Sequence, residues 1–589
     1  MKNTNHNGKS VKKLTALILI LSLLSLIFAA LAAGCGATNA SDSPADGRAA
    51  EFTPPSVEAP AAELAAATVY DVSDATAFVF SDAEITAADG AYTGYKIEGT
   101  ALSITEGGVY VLSGSCANGS VVVKKNISDV TLVLDGLDLS ASATAPLTCN
   151  KGSEVRIIAA EGSVNNLADD EFNNDDVYTD EELYPDIENA VIKCKDGSDV
   201  TICGTGTINV TSNGKNGLKG GGDLYEEDED GNATETLLSE GSLTIKELTL
   251  NVTAKVNDGI KSDKLLNILS GSVTVSAADD GIKSDYTLNV GTEGIDGPDI
   301  DVTDAVEGVE AATLNVWSGS VKVSASDDGI NAANSDLEDY AFSYNQFGGN
   351  VYVDVTEGDG IDSNGTIYLM DGTLEIYAPA QGDGDPLDSD KGPYFGGATV
   401  LAVGHAGMPQ RYSAATPYAA FSGNGLVSAG GGIKLTAADG GVLYTATAVR
   451  DASYLLFASP KLVSGETYTL NGNATATAGY SSGKNSSDGG FRDGGQRDGE
   501  MPELPEGFSG EMPTPPEGFN GERPELPDGF NGEMPEPPEG FGGERPEFPG
   551  NGETPPTPPD GNGNMPSPPD GFGGFGGFPN AADSADGNA

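Results

Sequence analysis

One short phrase returns along the middle of this chain and restricts its fold more than any other feature. It reads Asn257-Asp258-Gly259-Ile260-Lys261-Ser262, then Asp279-Asp280-Gly281-Ile282-Lys283-Ser284. Weaker copies follow at Val306-Glu307-Gly308-Val309, Asp327-Asp328-Gly329-Ile330-Asn331 and Gly358-Asp359-Gly360-Ile361-Asp362-Ser363. Each copy joins an acidic residue, a glycine, a branched apolar residue and a polar one. Successive glycines stand 22, 27, 21 and 31 residues apart. Self-similarity at such spacings marks a stacked repeat, in which one unit buries its apolar face only against its neighbours.

Short runs of branched residues fill the space between copies. Leu243-Thr244-Ile245 and Leu248 to Val252 precede the first, Leu265 to Ile268 and Ser272 to Ser276 the second, Thr313 to Val316 and Ser320 to Ser324 the fourth. A repeat of roughly 22 residues holds about three short strands with their turns, one coil of a parallel β-helix. A β-sandwich of hairpins competes, but its turns need not recur at one phase. In a coil, Ile260, Ile282, Val309, Ile330 and Ile361 stack inward as an apolar ladder. The glycine before each is expected to supply a positive φ at the corner. Similar strand texture begins near Thr68, and no sustained helical period occurs before Asn471, so the expected class is all-β.

The ends differ from this middle. Lys2, Lys9, Lys12 and Lys13 precede an apolar run from Leu14 to Leu31, which ends in Leu31-Ala32-Ala33-Gly34-Cys35. This resembles a lipoprotein signal peptide over 1–34, with Cys35 the lipidated residue; a transmembrane anchor is the competing reading. An Ala/Ser/Pro-rich tether is expected over 35–66, the β-helix over 67–390, and the last coils or a β cap over 391–470. From 471 to 589 a Pro/Gly/Phe-rich tail, with Gly-Phe pairs at Gly507, Gly518, Gly529 and Gly540, is expected to be disordered. Two acidic inserts interrupt the β texture, Asp169 to Glu188 and Gly220 to Ser239. The second reads as a solvated loop, while the first reads equally as a loop or as a segment reaching back to the repeat.

A net charge of −59, from 89 acidic and 30 basic residues, repels phosphate backbones and argues against nucleic acid. It also disfavours an anionic polysaccharide unless divalent cations invert the local sign. Cys116, Cys149, Cys194 and Cys203 fit no zinc spacing, and read either as disulfides or as small buried hydrophobes.

Residues at one phase of a coil lie about 4.8 Å apart on neighbouring strands. Asp258, Asp280, Asp328 and Asp359 would then form a column, with Asp279, Asp327 and Glu307 beside it. Such a column is relieved by spreading into solvent, by salt bridges to Lys261 and Lys283, or by a cation. Calcium suits carboxylates and turn carbonyls on several rungs; solvated Asp-Gly turns are the alternative.

The lipobox, the rung Ser270 to Ser284, its echo at Ser318 to Ile330 and the Glu466 to Leu470 segment together resemble the carbohydrate-binding domain family of clostridial surface lipoproteins. That resemblance implies a calcium-loaded right-handed parallel β-helix, similar in fold to pectate lyases, that binds acidic plant polysaccharide such as pectate, or cellulose, without cleaving it. It implies a location on the extracellular face of the membrane. Calcium would offset the negative field and bridge to uronate carboxylates, while Trp317, Tyr352, Tyr368 and Tyr377 are candidates to stack on neutral sugars. Two other functions stay open. A calcium-dependent polysaccharide lyase would need a base such as Lys261 or Lys283, whose pairing with aspartates counts against that role. A structural stalk or adhesin would need no ligand at all.

Overall fold

The computed structural model describes residues 56–88, 93–180, 182–228, 232–382, 384–405 and 412–480. The expected signal peptide, Cys35, most of the tether and the tail beyond 480 lie outside them. Every regular element among the described residues is a β-strand.

The strands fall into three parallel ladders, which the chain visits in a fixed order. One visit runs Ser242–Ile245, Thr249–Ala254, Ile260–Ser262, and the next runs Leu265–Ile268, Ser272–Ala277 and the start of Ile282–Val290. Each strand pairs in parallel with its counterpart from the neighbouring visit, as Leu250 does with Val273 and Ile260 with Ile282. The pattern extends well beyond the five recognisable phrases. In one ladder Leu102, Val121, Leu147, Ile192, Leu218, Ile260, Ile282, Val309, Ile330 and Ile361 are successive register partners. All are buried, and the five expected from the phrase are at most 3% exposed. Full burial of each such side chain is worth about 1.5–3 kcal/mol, so this single row is a large part of the core.

The unequal steps between phrases are explained by corners. Val290 is followed by a long turn before Asp299, and Ala332 by another before Ser343, whereas Ile268 reaches Ser272 and Ser262 reaches Leu265 directly. Extra residues therefore leave at corners, and Ile282↔Val309↔Ile330↔Ile361 stays in phase. Register holds because a one-residue slip would turn the whole apolar row outward.

The glycines correct an expectation. None of Gly259, Gly281, Gly308, Gly329 and Gly360 has a positive φ. They are required by space instead. A Cβ on Gly259 would lie 2.6 Å from the Gly281 carbonyl oxygen and 2.3 Å from Val275 Cγ1, and one on Gly308 2.5 Å from the Gly329 oxygen. The corner backbones approach one another too closely for any side chain.

A second row is polar. Asn345 donates through Nδ2 to Asn315 Oδ1 at 2.8 Å, Asn315 to Asn289 at 3.0 Å, Asn289 to Asn267 at 2.9 Å, and Asn267 to Thr244 Oγ1 at 3.3 Å. All four asparagines are buried, and each amide donates to the preceding member of the row, while Asn345 Oδ1 at its end has no partner among the described residues.

Both ends of the ladders are covered. Tyr95–Glu98 lies antiparallel on Ala101–Ile104 at the first rung. Parallel pairing reaches Ser413–Ala414. Antiparallel Ala452–Ala458 then covers the outer edge of Thr399–Gly404, and a four-stranded antiparallel sheet ends with Ala474–Thr477, beyond the expected limit of 470. Open edges invite pairing with other chains, and these strands cover the edges they pair with.

The stretch ahead of the first strand is fastened to the ladders. The Thr68 N–H donates to both Glu247 carboxylate oxygens at 3.0 and 2.9 Å, and Lys246 donates to the Ala66 carbonyl at 2.6 Å. The four cysteines are buried free thiols, with Cys149 and Cys194 register partners inside the core.

Candidate functional site

The acidic column forms at the corner just before the isoleucine row. Successive glycine N–H groups donate to the carbonyls of Asp258, Asp280, Glu307, Asp328, Asp359 and Asp385, from Gly217 N–H at 3.0 Å through Gly360 N–H at 2.9 Å. Backbone bonding thus fixes one acidic residue per rung over six rungs. Glu307 stands in this column, not beside it as expected; the neighbouring position holds Asp279, Val306 and Asp327. Carboxylates also brace the next rung's backbone. Asp359 N–H donates to Asp328 Oδ1 at 2.7 Å, and Asp280 N–H to Asp258 Oδ1 at 3.4 Å.

A parallel column lies one residue beyond the isoleucines. Its register partners are Lys193, Lys219, Lys261, Lys283, Glu310, Asn331 and Asp362. Asp388 continues it, one residue after Leu387, which bridges to Ile361. The column is therefore cationic along its first rungs and anionic along its last.

Where the two columns meet, carboxylates converge. Asp258, Asp279 and Asp280 offer oxygens within 4.8 Å of one another, as do Asp280, Glu307 and Glu310, and Asp359, Asp362 and Asp388. Asp327 joins none of these triads. Burial pushes the Asp258 carboxyl up to about 6, helped by the Asp280 charge. Burial likewise raises Glu307 to about 7, with Asp280 contributing, and Asp359 to about 7, with Asp328 contributing against a hydrogen bond from Asp385. Asp362 rises to about 6 for the same reasons, burial first and then Asp328 and Asp388.

The three triads differ in what neutralises them. Lys283 Nζ lies 2.7 Å from Asp280 Oδ2 and 2.5 Å from Glu310 Oε2, so the middle triad already contains an ammonium group. Lys261 lies beside the first triad and holds Asp285 loosely at 3.7 Å. Among the described residues, Asp328, Asp359 and Asp362 make no ion pair with lysine or arginine. An all-oxygen donor set of converging carboxylates beside turn carbonyls suits a hard divalent cation, calcium above all, and lacks the His or Cys that transition metals favour.

Lys283 does not suit proton abstraction. Burial tends to lower the Lys283 pKa, but the bonds and charges of Asp280 and Glu310 outweigh it and push the amine well up. Lys193 is the column amine driven down, to about 8, by burial and the Lys219 charge. At its rung, however, the acidic column holds Ala190, and at the next rung Asn216.

The aromatic candidates separate. Trp317 is stacked on Phe347, centroids 4.2 Å apart at 15°, and its indole N–H is buried without a hydrogen-bond partner among the described residues. Tyr377 is 1% exposed in the core under the cap, and Tyr352 packs against it at 5.6 Å. Tyr377 serves packing, while Trp317 and Tyr352 stay half-exposed. Tyr368 stays half-buried beside Tyr394.

The first acidic insert is tied back to the ladders. The buried Asp169 carboxylate accepts from Asn213 N–H at 2.7 Å, and Asn173 donates to Asp169 and to the Ala190 carbonyl. Lys215 pairs with Asp175 and Asp176. The second insert, expected as a loop, carries a β-hairpin of Leu224–Glu227 with Ala233–Ser239. Glu310 and Asp362 are site residues visible in sequence, since they take the lysine position of the phrase. Asp388 sits in Pro386-Leu387-Asp388-Ser389, a copy without the glycine, and only register reveals it.

Comparison with known proteins finds similarity over residues 98–314. A family model described as carbohydrate-binding domain-containing protein matches residues 98–228 and 225–314. An Acetivibrio thermocellus protein of that same description is 32% identical over 132 residues, 22% of this chain and 44% of its own length, so this chain covers less than half of that relative. A solved structure of a polysaccharide lyase-like protein from C. thermocellum, a gadolinium derivative, aligns at 20% identity with a TM-score of 0.30, over 54% of this chain and 95% of that one.

Proposed function

We propose that this protein is a non-catalytic polysaccharide-binding lipoprotein of the cell surface, anchored through Cys35 and built as a right-handed parallel β-helix whose acidic column holds calcium. The change of the second column from lysine to carboxylate carries the metal part of this reading. Lysines relieve the acidic column up to Lys283; beyond it Glu310, Asp362 and Asp388 add negative charge where relief is most needed. Calcium is therefore assigned first to Asp328, Asp359, Asp362 and Asp388, and second to Asp258, Asp279 and Asp280. Bound there, it would supply positive charge that offsets the −59 field and accepts uronate or hydroxyl oxygens. The sugar part rests on the similarity of residues 98–314 to carbohydrate-binding domain proteins. A binding role is favoured over a lyase because the amine nearest the carboxylates, Lys283, is locked in its charged form.

Retention of the protein on insoluble cellulose and on immobilised polygalacturonate, in calcium and in chelator, tests the proposal. Calcium is expected to raise both retention and melting temperature. In Asp359→Asn and Asp362→Asn the calcium-induced rise in melting temperature should largely disappear. Retention on neither polymer in calcium would leave a stalk, and release of unsaturated uronate absorbing in the ultraviolet would make the protein a lyase.

A further inference from the structure

A second corner of the ladders carries a feature that the metal columns leave unexplained. Lys264, Tyr286 and Phe342 each stand one residue before register partners, Leu265 with Thr287, Thr287 with Thr313, and Thr313 with Ser343. They therefore follow one another along the stacking direction, and the rung between Tyr286 and Phe342 carries the small Ala312. Tyr340, from the long turn after Ala332, fills that gap. Its hydroxyl bonds Thr313 Oγ1 at 3.1 Å, and its ring lies 6.4 Å from Tyr286 and 5.3 Å from Phe342. The Lys264 ammonium sits 4.4 Å over the Tyr286 ring, held by Asp223 at 2.8 Å. The three rings, separate in sequence, form one half-exposed row along the edge.

This row has no role in closing the core. The inward positions of its rungs are filled by Leu266, Leu288, Leu314 and Tyr344, all at most 1% exposed. The turn bearing Tyr340 is itself anchored, since Asn334 donates to the Asp285 carbonyl at 2.7 Å. The rings, 6.4 and 5.3 Å apart and turned 78° and 52° to one another, present apolar edges and faces along a line. Polar groups, Lys264 and the half-buried Asp285, flank that line. The complement is a linear ligand with apolar faces and hydroxyl-bearing edges, which describes a chain of pyranose rings; the amphipathic tyrosine suits both parts.

We propose that Tyr286, Tyr340 and Phe342 are the contact row on which a linear polysaccharide lies along the long axis of the ladders, with Lys264 and Asp285 bonding its hydroxyls. The proposal rests on the polysaccharide-binding reading above and adds the surface that does the binding, at the corner next to the metal columns, where Asp285 meets Lys261.

The test compares the full chain with Tyr286→Ala, Tyr340→Ala and Tyr286→Phe, in saturating calcium, on cellulose and on polygalacturonate. Each alanine variant should be retained roughly fivefold to tenfold more weakly, while Tyr286→Phe, which keeps the ring face, stays near the parent. Loss confined to cellulose assigns the row to neutral glucan; loss on polygalacturonate assigns it to uronate ring faces. The calcium-induced rise in melting temperature should be unchanged in all three, which separates a contact surface from a folding role. Unchanged retention of both alanine variants, with the parent protein still bound, overturns the row and leaves the general reading standing. Failure of the parent to bind either polymer overturns that reading, and the row with it.

Discussion

At the residue scale, the glycine of the repeated phrase and the acid before it do separate jobs. Gly281 is needed because a Cβ there would stand 2.6 Å from both the Gly308 carbonyl oxygen and Val302 Cγ1. Gly281→Ala should therefore lower stability by about 1–3 kcal/mol, as overpacking does, and depress the melting temperature in calcium and chelator alike. Gly432, whose added Cβ meets nothing within 4 Å and whose φ is not positive, is the control; Gly432→Ala should melt with the parent. The acid was readable as a charge at a fixed phase, but its partner was not. Lys283 follows Ile282 in sequence, yet the carboxylate that completes its clamp, Glu310, comes from the next rung.

At the scale of the element, each ladder lives on what recurs at one register position. The buried asparagine row shows how tightly its members depend on one another. Removing Asn315 takes one of the two acceptors of the Asn345 amide, which keeps Ser343 Oγ, and leaves Asn289 Oδ1 without a donor. Buried groups left unpaired cost about 1–3 kcal/mol each, so Asn315→Ala should unfold at clearly lower denaturant than the parent. Asn209→Ala, which cuts the half-exposed amide bonds to Asn166 and from Asn251, should lower the midpoint less. The isoleucine row was legible in the sequence because its members share a phrase. The asparagine row was not, since its members recur at unequal spacing among ordinary strand residues and only pairing aligns them. The long corners after Val290 and Ala332 obscured the period in the same way, although they leave register intact.

At the scale of the whole molecule, charge sets the pH response. Asp258 and Asp362 carry carboxyls raised to about 6, and Glu307 and Asp359 to about 7, each chiefly by burial. A carboxyl whose folded pKa exceeds its unfolded value stabilises the fold fully below the unfolded value, and that contribution is lost as pH rises through the folded one. The metal-free protein should thus lose melting temperature between about pH 4 and pH 7, from model values of 3.8 and 4.5 to the raised ones. Calcium should flatten or reverse that fall, because it stabilises the ionised form. A melting curve insensitive to pH over this window in chelator would contradict the burial of the column. The sequence by itself determined the all-β class, the inward isoleucine row and the existence of an acidic column, because each follows from a residue type recurring at one phase. Tertiary structure alone decided which carboxylates converge, which lysine is already engaged, and that Tyr286, Tyr340 and Phe342 share an edge. Those contacts join residues of different rungs, and the distance between rungs is set by backbone pairing, which no single stretch of sequence contains.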